Sequence, residues 1–161
     1  MDSPLVFITG STGFIGSHVV GTTLRAGYRV RLSIRHPEQA QEARQLYPEY
    51  ASNIEVVVIP DITKSESFKN ALDNVDFIFH LASPMPGKGS DLKSGYVKPA
   101  VQGTESILYA AMDFPQIKKV ILASSVLALL PLNSISKDIS IKGSTTQFPA
   151  STSQPPSHSQ S

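Results

Sequence analysis

Three glycines, Gly10, Gly13 and Gly16, follow the apolar run Leu5–Thr9 and open a stretch with helical spacing of apolar residues. Glycines three residues apart between a strand and a helix suit phosphate binding, and each has its own mechanical task. Gly10 lets the chain turn sharply after the strand, Gly13 lets the backbone approach a phosphate with no Cβ in the way, and Gly16 lets the helix pack closely on the strand. The helix start then offers free N–H groups and partial positive charge to an anion. Thr9, Phe14 and Ile15 complete this loop as candidate binding residues. The same glycines would also serve an ordinary structural turn. Their place after a strand, before a helix and inside a βαβ unit favours the phosphate.

Other candidates stand where later strands should end. Arg35 lies nineteen residues after Gly16, at the end of an expected second strand. An NAD site commonly has a carboxylate about 20 residues on, accepting from the ribose hydroxyl. No acid occurs in Leu32–His36. Arginine at that place offers a planar fork of donors to a 2′-phosphate, which favours NADP over NAD; a solvated strand-end arginine is the alternative. Asp61 and Ile62 follow a third apolar run, where the carboxylate could accept from an adenine amine and Ile62 could pack on the ring. Asp61 could equally be a turn residue before Thr63. Leu81, Ala82 and Ser83 end a fourth run and are expected beside the nicotinamide. His80 reads as a packed strand histidine more than an acid–base group. Ser124 and Ser125 close a fifth run, where a serine could hydrogen-bond a substrate carbonyl or satisfy local backbone groups.

Alternating strand and helix signals must position these residues, which argues for an α/β domain with a parallel sheet. The expected strands are 5–9, 29–34, 54–59, 76–81 and 119–123. The first helix is expected from about Thr12 to Arg25, with Phe14, Ile15, Val19, Val20 and Leu24 on or near one face and Gly27 ending it. Pro37 opens a second helix. Val56–Ile59 reads as a strand buried on both faces. Thr63-Lys64-Ser65-Glu66 has capping-box spacing and predicts a third helix through about Leu72. A Gly/Pro/Ser-rich loop is expected over 83–90, and a long helix over 91–112. The fold class is thus a doubly wound, Rossmann-type sheet of about five strands in the order 3-2-1-4-5, incomplete on its C-terminal side. Residues 1–132 form its dinucleotide-binding domain, 133–142 a divergent connector, and 143–161 a Ser/Pro-rich tail too polar to order itself.

The 161 residues suffice for one domain with a core, and a composition of 40% hydrophobic and 17% charged residues suits a globular protein. A net charge of +1 gives no pull toward nucleic acid or a membrane surface. The absence of cysteine excludes disulfides, thiolate zinc sites and a cysteine nucleophile. No metal-ligand cluster is evident. No apolar run approaches the roughly 20 residues of a membrane span, and no secretory leader is visible, so a cytoplasmic protein is expected.

Several motifs together resemble the extended short-chain dehydrogenase/reductase family. They are Thr9–Gly16, Arg35, Asp61-Ile62, Phe79–Pro84, Tyr96–Thr104 and Val120–Ser125. The similarity is to the NAD-dependent epimerase/dehydratase type, in the dihydroflavonol-reductase and cinnamoyl-CoA-reductase-like branch that includes fungal ketoreductases. It spans about Leu5–Leu132. The resemblance implies hydride transfer between NADP(H) and a ketone or aldehyde of a small organic molecule. A tyrosine supplies the proton, and a lysine four residues later lowers its pKa. A serine, best matched by Ser125 with Ser124 as runner-up, bonds the same oxygen.

The chain departs from that pattern in one respect. None of its five tyrosines, Tyr28, Tyr47, Tyr50, Tyr96 and Tyr109, has lysine four residues on. The chain is therefore expected to carry the cofactor half only, its tail arising from truncation, a retained intron or a frameshift. The helix that would complete the family's dimer is missing, which counts against dimerisation. The alternative is a non-catalytic NADP(H)-binding module or an inactive truncated product.

Overall fold

The computed structural model describes residues 3–83, 91, 95 and 97–125. The chain divides into two units, 1–123 and 124–161. The first contains every element below; of the second, only Ser124 and Ser125 are described. The expectations for the loop 84–90, the connector and the tail lie outside the described residues.

Five parallel strands, β1 (Leu5–Thr9), β2 (Arg29–Ile34), β3 (Ile54–Val58), β4 (Phe77–His80) and β5 (Lys119–Leu122), form one sheet in the order β3-β2-β1-β4-β5. This is the expected doubly wound order. All five residues of β1 are buried, because both faces of this central strand are covered. Leu5 and Phe7 join Phe68, Leu72, Val75, Ile78 and Ile107 on one face. Val6 and Ile8 join Val20, Leu24, Val30 and Leu32 on the other. Helices α1 (Phe14–Arg25) and α2 (Gln39–Gln45) cover the second face, and α3 (Lys98–Met112) covers the first.

Helix α1 starts at Phe14 rather than Thr12, because the Gly13 N–H turns back to the Gly10 carbonyl at 3.1 Å. Its buried stripe is Gly16, Val20, Thr23 and Leu24, at spacings of four, seven and eight residues. Phe14 and Ile15 fall off that stripe and are 84% and 63% exposed, so they do not belong to the packed face expected of them. Gly27, at φ +86°, ends the helix as expected.

Three further expectations need correction. Helix α2 begins at Gln39, two residues past Pro37, and a 3₁₀ segment follows it over Pro48–Asn53. Strand β3 is not buried on both faces; among the described strands it pairs with β2 alone, and Val58 is 41% exposed. The third helix is only a 3₁₀ turn, Ser65–Phe68. The Thr63 side chain does not cap it, because its hydroxyl and N–H both turn back to Asp61 Oδ1, at 2.7 and 2.9 Å. The described part of the long helix begins at Lys98, with the Gly95 N–H bonded to the Asp91 carbonyl at 2.8 Å.

Asp76 ties the N-terminal ends of three strands. Its Oδ2 accepts the Leu5 N–H at 2.9 Å, and its Oδ1 accepts from Lys118 Nζ at 2.8 Å.

Candidate dinucleotide-binding cleft

The carboxyl ends of β1 and β4 are adjacent, while the connections from them run to opposite faces. That divergence leaves a crevice, the usual ligand site of such sheets. Its floor is set by Gly10. At φ +69° it turns the chain so tightly that a Cβ there would sit 2.7 Å from the Ala82 nitrogen. A Cβ on Gly16 would overlap the Gly10 carbonyl oxygen, so α1 is seated directly on the loop. Gly13 is different. Its φ of −77° is ordinary, and among the described residues an added Cβ would meet only the Gly10 oxygen, at 3.3 Å. Among the described residues little demands glycine at position 13. The open side of this residue is the cleft, which is where a phosphate would come close.

Among the described residues no side chain caps the start of α1, and its first turn holds no acid. The leading N–H groups of the helix therefore remain without intrahelical partners, beside the glycine loop. Buried Ser11 fastens this loop to β2, its hydroxyl donating to the Ser33 carbonyl at 3.1 Å.

A cleft of about 390 Å³ runs from the loop in two directions. Toward β2 it is lined by Ser33, Ile34, Arg35, His36 and Gln39, and toward β4 by Leu81, Ala82 and Ser83. Ile59 and Ile62 line it as well. No carboxylate is among the described lining residues, and none pairs with the Arg35 guanidinium.

Of the residues singled out by sequence, Gly10, Gly13, Arg35, Ile62, Leu81, Ala82 and Ser83 line this one cleft. Thr9 and Gly16 are buried behind it, and Phe14 and Ile15 form the exposed first turn of α1. Ile62 is held in place by α3: its carbonyl accepts the Ser106 hydroxyl, and its side chain lies where a Cβ on Gly103 would touch it at 3.1 Å. Asp61 does not line the cleft. Its carboxylate is occupied by Thr63, and those hydrogen bonds hold its pKa below the usual range, with smaller help from Lys64 and Arg35. Ser125 is exposed and belongs to the second unit, which begins at Ser124. Sequence reasoning passed over Ser11, Thr12, Ser33, His36, Gln39 and Ile59, whose contributions depend on local hydrogen bonds or on lining rather than on a motif.

Thr9 and His80 support the β4 side from beneath. The Thr9 hydroxyl oxygen lies 2.8 Å from His80 Nδ1 and accepts the Ala82 N–H at 3.2 Å. Burial pushes the His80 pKa down, so the ring is neutral near pH 7. This matches the reading of His80 as a packed strand histidine.

The chain matches the 3-beta hydroxysteroid dehydrogenase/isomerase family over residues 7–160, and it belongs to that family. It is 43% identical over 135 residues to ketoreductase sphI of Aspergillus fumigatus, covering 84% of this chain and 39% of that protein. It is 32% identical over 124 residues to dihydroflavonol 4-reductase of Callistephus chinensis, covering 76% and 34%. Among solved structures, yeast methylglyoxal/isovaleraldehyde reductase Gre2 in complex with NADPH matches with a TM-score of 0.69 and 28% identity. That match covers 75% of this chain and 37% of Gre2. The extended short-chain dehydrogenase/reductase membership expected from the motifs is thereby established. The chain spans under two fifths of the length of these three relatives.

Proposed function

We propose that this chain is the cofactor-binding part of an NADP-dependent oxidoreductase that reduces a ketone or aldehyde on a small organic molecule. One observation carries the cofactor choice. Arg35 stands on the cleft wall with its guanidinium unpaired by any described carboxylate, and no described acid lines the cleft. A ribose hydroxyl would find no carboxylate acceptor on that wall, whereas a 2′-phosphate would find a fork of donors. The uncapped start of α1 and the open side of Gly13 fit the pyrophosphate. Ile62 would pack on the adenine with Asp61 beside it, and Leu81–Ser83 would border the nicotinamide. The reduced nicotinamide, when bound, supplies the hydride. The residues of this chain bind and orient it, and Ser125 would hydrogen-bond the substrate oxygen. Names of relatives such as ketoreductase sphI and Gre2 support carbonyl reduction.

A second reading, a module that binds NADP(H) without turnover, is favoured by one fact. No tyrosine among the 161 residues is followed by lysine four positions on. Fluorescence titration with NADPH and NADH, paired with a carbonyl-substrate panel, separates the readings. Binding with turnover supports the enzyme, and binding without it supports the module. Equal affinity for both nucleotides, unchanged in Arg35→Ala, would remove the case for NADP.

A further inference from the structure

The second face of the sheet carries a hollow of about 320 Å³ between the C-terminal end of α1 and the strands β1, β4 and β5. Strand pairing sets its floor. Val6, Phe77 and Lys119 stand abreast on the three strands, and Phe79 stands beside Ile121 two residues further on. Alternate residues of a strand share a face, so all five project to the same side. Tyr28 lines the hollow too, its ring nearly perpendicular to that of Phe77 with centroids 6.2 Å apart. Thr22, Thr23 and Ala26 form the α1 side. Both threonine hydroxyls are engaged within the helix: Thr23 donates to the Val19 carbonyl at 2.7 Å, and Thr22 accepts from Arg25 at 3.2 Å.

One charge stands among these apolar walls. Of two consecutive lysines, Lys118 is bound through Nζ to Asp76 Oδ1 at 2.8 Å. Lys119 alternates to the other side of β5, and no described carboxylate pairs with it. It is the one charged residue among the described lining. Aromatic walls favour a flat apolar body, with ring contacts worth about 0.5–1.5 kcal/mol beyond the area they bury. The ammonium at their edge favours a negative group on that body. The volume lies at the lower end for small-molecule sites, about 300–1,000 Å³. Two turns of α-helix, about 10 Å across and 11 Å long, need more room.

We propose that this hollow is a second ligand site, for a small aromatic carboxylate whose rings lie on Phe77 and Phe79 and whose carboxylate meets Lys119. None of its lining residues lines the dinucleotide cleft, so the site stands apart from the NADP reading.

The probe is 2-naphthoate, titrated calorimetrically into the 161-residue chain, with neutral 2-naphthylmethanol beside it. Both should bind, the carboxylate roughly fivefold tighter, as an exposed ion pair allows. Lys119→Met keeps the apolar stem and removes the charge, so it should bring the two affinities together. Ala26→Leu fills the hollow from its α1 side and should abolish binding of both, leaving the unfolding midpoint nearly unchanged. Arg35→Ala should change neither affinity. Equal affinities in the unsubstituted chain, or no saturable binding below about 1 mM, overturn the proposal. Loss of naphthoate in Arg35→Ala also overturns it, because the ligand then sits in the dinucleotide cleft. Self-association of the chain that Ala26→Leu prevents would make a second copy the occupant and overturn it as well.

Discussion

The hydroxyl oxygen of Thr9, the last residue of β1, lies 2.8 Å from Nδ1 of His80, the last residue of β4, with both side chains buried. The same oxygen accepts the Ala82 N–H, so one hydroxyl links two central strands to the cleft floor. Thr9→Val keeps the shape and leaves an imidazole nitrogen and a backbone N–H without their partner. Each such group costs about 1–3 kcal/mol, so urea unfolding should show a loss of about 2 kcal/mol or more. A loss under about 0.5 kcal/mol would mean the pair contributes packing alone.

His80 also sets a pH dependence. Burial lowers its pKa in the folded protein below 6.5, so the unfolded chain binds the proton more readily. The associated stability is complete above pH 6.5 and is lost as pH falls from there toward the folded value. The slope within that window is at most about 1.4 kcal/mol per pH unit. Denaturant titrations between pH 7.5 and about pH 5 should show this decline in the unsubstituted chain and a flatter profile in His80→Gln. Parallel profiles would assign the titration to another group.

The three glycines of the loop should separate by what each substitution damages. Alanine at Gly16 meets the Gly10 carbonyl, and alanine at Gly10 meets Ala82 while holding φ at +69°. Both should cost more than about 2 kcal/mol of stability, measured by thermal or urea unfolding. Alanine at Gly13 has ordinary φ and one close neighbour, so the fold should survive. Nucleotide affinity should still fall. A Gly13→Ala chain that binds as well as the unsubstituted one would place the pyrophosphate elsewhere.

Asp76 governs the acid limb. Its pKa is lowered first by the Lys118 ammonium and then by the Leu5 N–H. The stability it adds is present above pH 3.8 and disappears as pH falls through the lower folded value. Asp76→Asn should cost about 1–2 kcal/mol at pH 7 and shallow the decline below pH 4, leaving the part due to Asp61. An acid transition unchanged in this variant would show that the staple is not coupled to folding.

The sequence was most legible where one residue type has one mechanical reason to be present. The bounds of β1 follow from an apolar run closed by a glycine turn, and those of β2 from alternating polar and apolar residues ended by an arginine; both match the structure residue for residue. Gly27 read as a helix end because few other residues adopt its positive φ. Legibility failed where two local partners competed. Thr63 had a possible acceptor role toward Glu66 and a closer acceptor in Asp61, and the nearer one won, leaving a single 3₁₀ turn. Phe14 and Ile15 look like core residues by type, but helical phase carries them away from the sheet. Gln39 carries no motif. Its side-chain oxygen accepts the N–H groups of Arg35 and His36, a role visible only once those orphaned donors past the strand end are counted.

Strand β1 divides its side chains between two cores, and its partners lie at unequal distances along the chain. Val6 faces Val30 in β2 and Phe77 in β4. Closing the longer loop costs about 1 kcal/mol more in chain entropy. During synthesis, Val20, Leu24, Val30 and Leu32 emerge early and can cover Val6 and Ile8. Phe7 and Leu5, on the opposite face, wait for Phe68, Leu72 and Ile78. The nascent chain therefore passes through an interval of roughly forty residues, a few seconds at ordinary elongation rates, with half a sheet built and an aromatic face bare. That interval is when a chaperone has most to hold.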